Sequence, residues 1–183
     1  GVFFTSSLDG WIAGDKGTIL YTNNGWIWDS GKSRAPATNA DLRSIHFPGN
    51  QSQYGWIVGQ NGTIFYTANY GTHWFSQNAL DSRTLNAVYA VSSSEIWAVG
   101  NAGSIIRTTD RGGTWNVFLN PPYNNLWDVS FRANRSLDGI LTLDGWVVGD
   151  NGIILRSKDD GGSWYQYPGP TSKNLYGICM LSK

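Results

Sequence analysis

The chain has 183 residues, of which 14% are charged and 40% hydrophobic, with 23 glycines, 10 tryptophans and a single cysteine, Cys179. Thirteen basic and thirteen acidic residues cancel, so no global field favours nucleic acid or an anionic membrane. One cysteine excludes an intramolecular disulfide and a cysteine-based zinc site, the aromatic content argues against disorder, and no apolar run approaches the ~20 residues that span a bilayer.

In chain order the sequence repeats itself. It opens inside a strand-like pattern, "VFF" from Val2, with no leader to be read, as in a processed, cytoplasmic or excerpted chain. Then comes "GWIAGDKGTILYT", followed by "TNNGWIW" (Thr22 to Trp28) and a polar connector, Ser30 to Asp41. The second unit reads "LRSIHF" from Leu42, "GWIVGQNGTIFYT" and "TANYGTHW" (Thr67 to Trp74). The third reads "LNAVYAV" from Leu85, "EIWAVGNAGSIIRT" and "TTDRGGTW" (Thr108 to Trp115). The fourth reads "LWDVSF" from Leu126, a longer loop expected over Arg132 to Gly145, "GWVVGDNGIILRS" and "SKDDGGSW" (Ser157 to Trp164). "NLYGICML", Asn174 to Leu181, repeats the first segment once more. The aligned tryptophans Trp11, Trp56, Trp97 and Trp146 are 45, 41 and 49 residues apart.

Each unit predicts four short strands: β-branched and aromatic residues between glycine turns, with no helical period. Asn61-Gly62 and Asn151-Gly152 suit the positive φ of a two-residue hairpin between strands two and three. A four-stranded unit at this period predicts an all-β propeller. The expected architecture is four four-stranded antiparallel blades plus one extra first strand, part of a larger propeller of about seven blades. A closed four-blade ring is the alternative. The whole of 1–183 reads as one domain, with blades at approximately 1–41, 42–84, 85–125 and 126–174, and 175–183 starting a further blade.

The motif after strand three is explained by turn chemistry. Asp110 and Asp159 accept backbone N–H bonds, Asn24 and Asn69 do so as amides, and Thr108 and Ser157 add a hydroxyl. Gly112 and Gly161 supply conformations a Cβ would oppose, and Trp74, Trp115 and Trp164 cover the blade edge. Nothing in it requires a substrate.

"TTDRGGTW" and "SKDDGGSW" resemble the Asp-box, or bacterial neuraminidase repeat. His73 replaces the threonine of the second copy, and the first copy is one residue short at Trp26. Joined to the preceding "GW-x-V-G-x-x-G-x-I-x-x-T", the box resembles the repeat of the photosystem II stability and assembly factor family, from Trp11 to Trp164. That resemblance implies a propeller of the thylakoid lumen, periplasm or secreted space that binds a protein partner and is not an enzyme. The same repeat occurs in many bacterial extracytoplasmic proteins.

Candidate partner-binding residues follow. Tyr21, Tyr66, Arg107 and Arg156 occupy one slot near the end of strand three, where tyrosine and arginine would suit a recognition surface or lie along the blade as amphipathic side chains. Arg43, Arg83, Arg132 and Arg135 flank first strands. The resemblance implies an arginine-rich face, but Asn86, Trp127 and Tyr176 stand where the second unit has Arg43. Trp26 and Trp127 lie outside the repeated tryptophans and suit a contact surface or irregular core filling. Of the sequons at Asn50, Asn61 and Asn134, the second is explained by its turn.

Enzyme readings find little support. A glycosidase needs two carboxylates on one cleft, yet most acids fall in turns and Glu95 is the sole glutamate. His46 and His73 sit in different units and suggest no catalytic triad. No cofactor and no metal site is expected. The reading is a non-enzymatic protein-binding scaffold that self-associates if the ring is partial. The alternative is a carbohydrate-active propeller, either a sialidase-like glycosidase or a glycan-binding module.

Overall fold

A computed structural model describes residues 1–30, 35–49, 51–80, 82–119, 123–135 and 141–180. All its sheets are antiparallel meanders in chain order. The first contains β1 (Val2–Phe4), β2 (Gly10–Ala13) and β3 (Ile19–Thr22). The second contains β4 (Leu42–His46), β5 (Gly55–Gly59), β6 (Thr63–Thr67) and β7 (Phe75–Asn78). The third contains β8 (Leu85–Ala90), β9 (Ile96–Gly100), β10 (Ser104–Thr108) and β11 (Asn116–Leu119). The fourth contains β12 (Leu126–Arg135), β13 (Leu141–Gly149), β14 (Ile154–Ser157) and β15 (Tyr165–Tyr167). The sheets do not close on one another, so the four-blade ring is not formed.

Why the second strands are apolar on both faces follows from where the core lies. Successive side chains of a strand point to opposite faces. Trp56 and Val58 of β5 pack with β8 and β9 of the third blade, while Ile57 packs back toward Trp11 of the first. Ile96 and Ala98 of β9 face the second blade, and Trp97 and Val99 face the fourth. The hydrophobic core is thus divided among three interfaces between neighbouring blades, and each β5 or β9 residue is buried. Outer strands β7 and β15 lose this pressure and are mostly exposed.

The turns between second and third strands share one geometry. Lys16-Gly17, Asn61-Gly62, Ala102-Gly103 and Asn151-Gly152 all have positive φ at both positions. This is the hairpin conformation that matches strand twist. It was legible at the two Asn-Gly pairs and occurs at all four sites.

Two expectations are modified. The segment Arg132 to Gly145 is not a plain loop: β12 and β13 continue in register from Arg132↔Asp144 to Arg135↔Leu141, making a long hairpin whose residues 136–140 lie outside the described set. In the first blade, the described residues show the fourth strand as one antiparallel bridge, where the Tyr21 N–H donates to Asp29 O (2.9 Å) and the Asp29 N–H to Tyr21 O (2.8 Å); residues 31–34, which follow it, lie outside the described set.

Residues 174–180 belong to no sheet. They nevertheless lie along β12 much as β8 lies along β4. The Ile178 N–H donates to Asp128 Oδ2 (2.8 Å) and the Met180 N–H to Ser130 Oγ (3.1 Å). Between the second and third blades the Val88 N–H donates to Ser44 Oγ (3.2 Å) and the Ala90 N–H to His46 Nδ1 (3.2 Å). Side chains of one first strand thereby satisfy backbone amides of the next, where buried N–H groups need partners.

Candidate functional site

The motif after strand three is a closed hydrogen-bond loop. Thr108 Oγ1 donates to Asp110 Oδ1 (2.7 Å) and accepts from the Gly112 N–H (2.8 Å). Asp110 also accepts the Thr114 N–H (2.9 Å) and hydroxyl (2.8 Å). These donors, the Thr114 amide first, hold the Asp110 carboxyl down at about 2. Ser157, Asp159 and Ser163 repeat the arrangement, and the Ser163 amide with the Ser157 hydroxyl lowers Asp159. In the second copy Asn69 Oδ1 accepts from Thr67 Oγ1 and from the His73 N–H, and the Asn69 amide meets His73 Nδ1 at 3.2 Å. The first copy makes the same bonds in one residue less: Asn24 Oδ1 accepts from the Trp26 and Ile27 N–H groups. Trp26, within this loop, is 88% exposed.

These loops join blades. A Cβ at Gly71 would strike the Trp11 indole, one at Gly161 the Trp97 indole, and one at Gly112 the Gln77 side chain, each on the preceding blade. Trp74 meets Trp11 edge-on at 6.0 Å, and Trp164 meets Trp97 edge-on at 5.7 Å. Trp115 is buried in the cluster that contains Trp56.

The tyrosine and arginine slot lies over the strand-two tryptophans. Tyr21 is 4.5 Å from Trp11 and Tyr66 is 5.2 Å from Trp56. The Arg107 guanidinium stands 5.0 Å from Trp97, and that of Arg156 stands 4.7 Å from Trp146. Each slot residue also meets the side chain twelve positions earlier. Tyr21 Oη donates to Asp9 Oδ1 (2.7 Å), Arg107 to Glu95 Oε1 (2.7 Å) and Arg156 to Asp144 Oδ2 (3.0 Å), while Tyr66 stacks on Tyr54 at 6.3 Å. Burial, and after it the Asp9 carboxylate, pushes the Tyr21 phenol up to about 12. Sequence reasoning missed this pairing. The signal was present: where the slot holds arginine, an acid lies twelve residues earlier.

The remaining candidates are dispersed. Arg43 is exposed. Arg83 Nη1 donates to Ala102 O of the third blade's turn (3.2 Å). Arg132 joins Arg156 on the buried Asp144 carboxylate (3.1 Å). Arg135 ends β12, and its side chain lies outside the described residues, as do Asn50 and the side chain of Asn134. Trp127 Nε1 donates to Asp150 Oδ1 (2.6 Å) and its ring lies 5.6 Å from that of the exposed Tyr176.

Chemistry that needs convergent acids finds no place here among the described residues. A cavity of about 590 Å³ beside β6 and β7 is lined by Pro36 to Thr38, Asn61 to Phe65 and Ser76 to Leu80 with Ser82, none of them ionisable. Glu95 is held by Arg107, and among the described residues no group of three His, Cys, Asp or Glu side chains is placed to hold a metal. Among the described residues no helix is long and apolar enough to cross a membrane.

Comparisons with known proteins agree on the repeat. The chain is 33% identical over 130 residues to the photosystem II assembly protein Ycf48 of Synechococcus sp. (strain JA-2-3B'a(2-13)), an alignment covering 69% of this chain and 38% of that protein. The matched stretch therefore spans well under half the length of this relative. Among solved structures, YCF48 bound to D1 peptide superposes with a TM-score of 0.60 at 17% identity, covering 99% of this chain and 86% of that one. A GH74 enzyme of Niastella koreensis superposes at 0.66 and 15% identity, covering 94% of this chain and 30% of the enzyme. Both structural likenesses speak to the propeller fold alone. Residues 1–119 match the family model described as photosynthesis system II assembly factor YCF48, and with the sequence relative this shows that the chain belongs to that family.

Proposed function

We propose that this chain is a non-enzymatic, protein-binding propeller segment of photosystem II assembly, working outside the cytoplasm. Family membership carries the reading. The geometry supports it: the box acids Asp110 and Asp159 are consumed by their own turns, and the cavities described bring no two carboxylates together. A glycosidase would require such a pair. The chain divides into blades at approximately 1–41, 42–84, 85–125 and 126–174, and residues 175–183 open a further blade, so that open faces pair with more blades of the same design. The relative solved with a D1 peptide suggests that the partner here is a protein segment too. It is gripped by loops and first-strand positions, with Arg43, Arg83, Trp127 and Tyr176 as contacts and Arg107, Arg132, Arg135 and Arg156 bordering them.

The test is calorimetric binding of a D1 peptide to the chain. Arg43→Glu is expected to weaken binding roughly tenfold or more, as loss and reversal of an interface charge does. Arg107→Gln with Arg156→Gln is expected to weaken it less, because both guanidinium groups already hold carboxylates. Unchanged binding in Arg43→Glu, or turnover of a glycoside by the purified chain, overturns the reading.

A further inference from the structure

The first strands of neighbouring blades are held together by side chains that accept backbone amides. In β4 the acceptors are Ser44 and His46, and in β12 they are Asp128 and Ser130, at the same two register positions. β8 has Ala87 and Tyr89 there, and Tyr89 Oη instead donates to Phe131 O (2.9 Å). Of these groups His46 alone loses its accepting atom when it takes up a proton. A hydroxyl does not titrate in mild acid, and a protonated carboxyl keeps an oxygen that accepts. Because Nδ1 accepts the Ala90 N–H (3.2 Å), the neutral ring carries its hydrogen on Nε2. An incoming proton has only Nδ1 to occupy, the atom the amide needs.

We propose that His46 is an acid-released latch between the second and third blades: protonation at Nδ1 expels the Ala90 N–H and opens the seam at that end, while the other seams stay shut. The surroundings of the ring offer no counter-charge. From β1 it meets Phe3 (4.7 Å), and the Gly1 ammonium at the head of that strand is spent on Ala13 O (2.7 Å). From β8 it meets Tyr89 (4.6 Å), whose phenol is kept neutral by burial. β5 sets Trp56 opposite, and the charge on β4 itself is the exposed Arg43. No carboxylate faces the ring among the described residues, and burial alone lowers its pKa to about 4. The latch therefore holds above that value and lets go as pH falls through it. Aromatic faces attract a cation, so the ring stays between Phe3 and Tyr89 and the amide gives way. The inference holds whichever protein the chain binds.

The test is hydrogen exchange of three backbone amides, read by NMR as protection relative to the unfolded rate while pH is lowered from 6.5 to about 4. Ala90 is expected to lose protection roughly tenfold or more, the factor that one unit of pKa difference supplies. Val88, held by Ser44 Oγ on the same strand, should lose less, and Met180, held by Ser130 Oγ at the fourth blade, should lose none. His46→Gln, whose amide oxygen accepts and does not titrate, should keep Ala90 protection level across the range. If that variant does not fold, the contrast between Ala90 and Met180 in the native chain decides alone. Protection of Ala90 that stays level while the His46 ring signals titrate overturns the proposal. So does a fall of all three amides in step, an equal fall at Ala90 in His46→Gln, or a ring that does not titrate before the chain unfolds.

Discussion

The first and third blades are copies of one design and differ in how far it is completed. The third has four strands, a full box and a tryptophan, Trp97, that is wholly buried between blades. The first has three strands among its described residues, a strand-two tryptophan, Trp11, that is buried as well, and a box one residue short in which Trp26 is exposed. Both copies keep the threonine hydroxyl and the side-chain oxygen that nucleate the turn. The difference teaches that the box's hydrogen bonds tolerate a loop one residue shorter. Shortening the loop by one residue preserves the bonds, and its closing tryptophan, Trp28, meets Phe4 edge-on at 5.9 Å.

Breaking that contrast gives the largest expected effect. Trp97→Ala removes an indole that touches Phe118, Phe131 and Trp164 and should cost about 3–5 kcal/mol. Trp26→Ala should stay within about 0.5 kcal/mol. Thermal unfolding of the two variants side by side checks this, and equal losses would mean that Trp26 is covered in solution.

A second prediction concerns the seam between blades. His46 stands between the rings of Phe3 (4.7 Å) and Tyr89 (4.6 Å), and its Nδ1 accepts the Ala90 N–H. Burial lowers its pKa from 6.5 to about 4. Between those values the unfolded chain binds the proton that the folded chain refuses, so stability falls as pH falls. It is undiminished above about 6.5, and the loss reaches at most about 3 kcal/mol near pH 4 at 1.36 kcal/mol per unit. Urea midpoints measured across this range should slope less in His46→Gln. Parallel slopes would show that His46 is not the group responsible.

The smallest effect sharpens the comparison at the turns. Ala102 in the third blade and Lys16 in the first adopt the left-handed conformation that Asn61 and Asn151 hold at lower cost. Ala102→Asn should raise stability by up to about 1 kcal/mol, read as a higher denaturant midpoint.

What could be read in the sequence was whatever repeats within a unit. The strand-two tryptophans, the box residues Thr108 to Trp115 and the Asn-Gly turns all announce themselves by local spacing. What escaped depends on neighbours. The Asp9–Tyr21, Glu95–Arg107 and Asp144–Arg156 pairs emerge only when strands two and three are aligned, because cross-strand partners are twelve residues apart. Bonds such as Val88 to Ser44 or Ile178 to Asp128 span 44 and 50 residues, beyond any local period. Arg132 to Gly145 looked like a loop because polar and apolar residues mix there, yet an antiparallel ladder satisfies its backbone whatever the side chains are. The candidate site was legible as a set of slots and not as a set of occupants, since Arg111 leaves the third blade's box and stands 5.0 Å from the Tyr54 ring of the second.

The bonds made by Ser130 and Asp128 to residues 178 and 180 carry a consequence of their own. They tie residues 178 and 180 to the first strand of the fourth blade through side chains of that strand. The same pattern of bonds recurs where the second blade meets the third, so both seams are fixed by the earlier strand's side chains. Register is thereby copied from seam to seam.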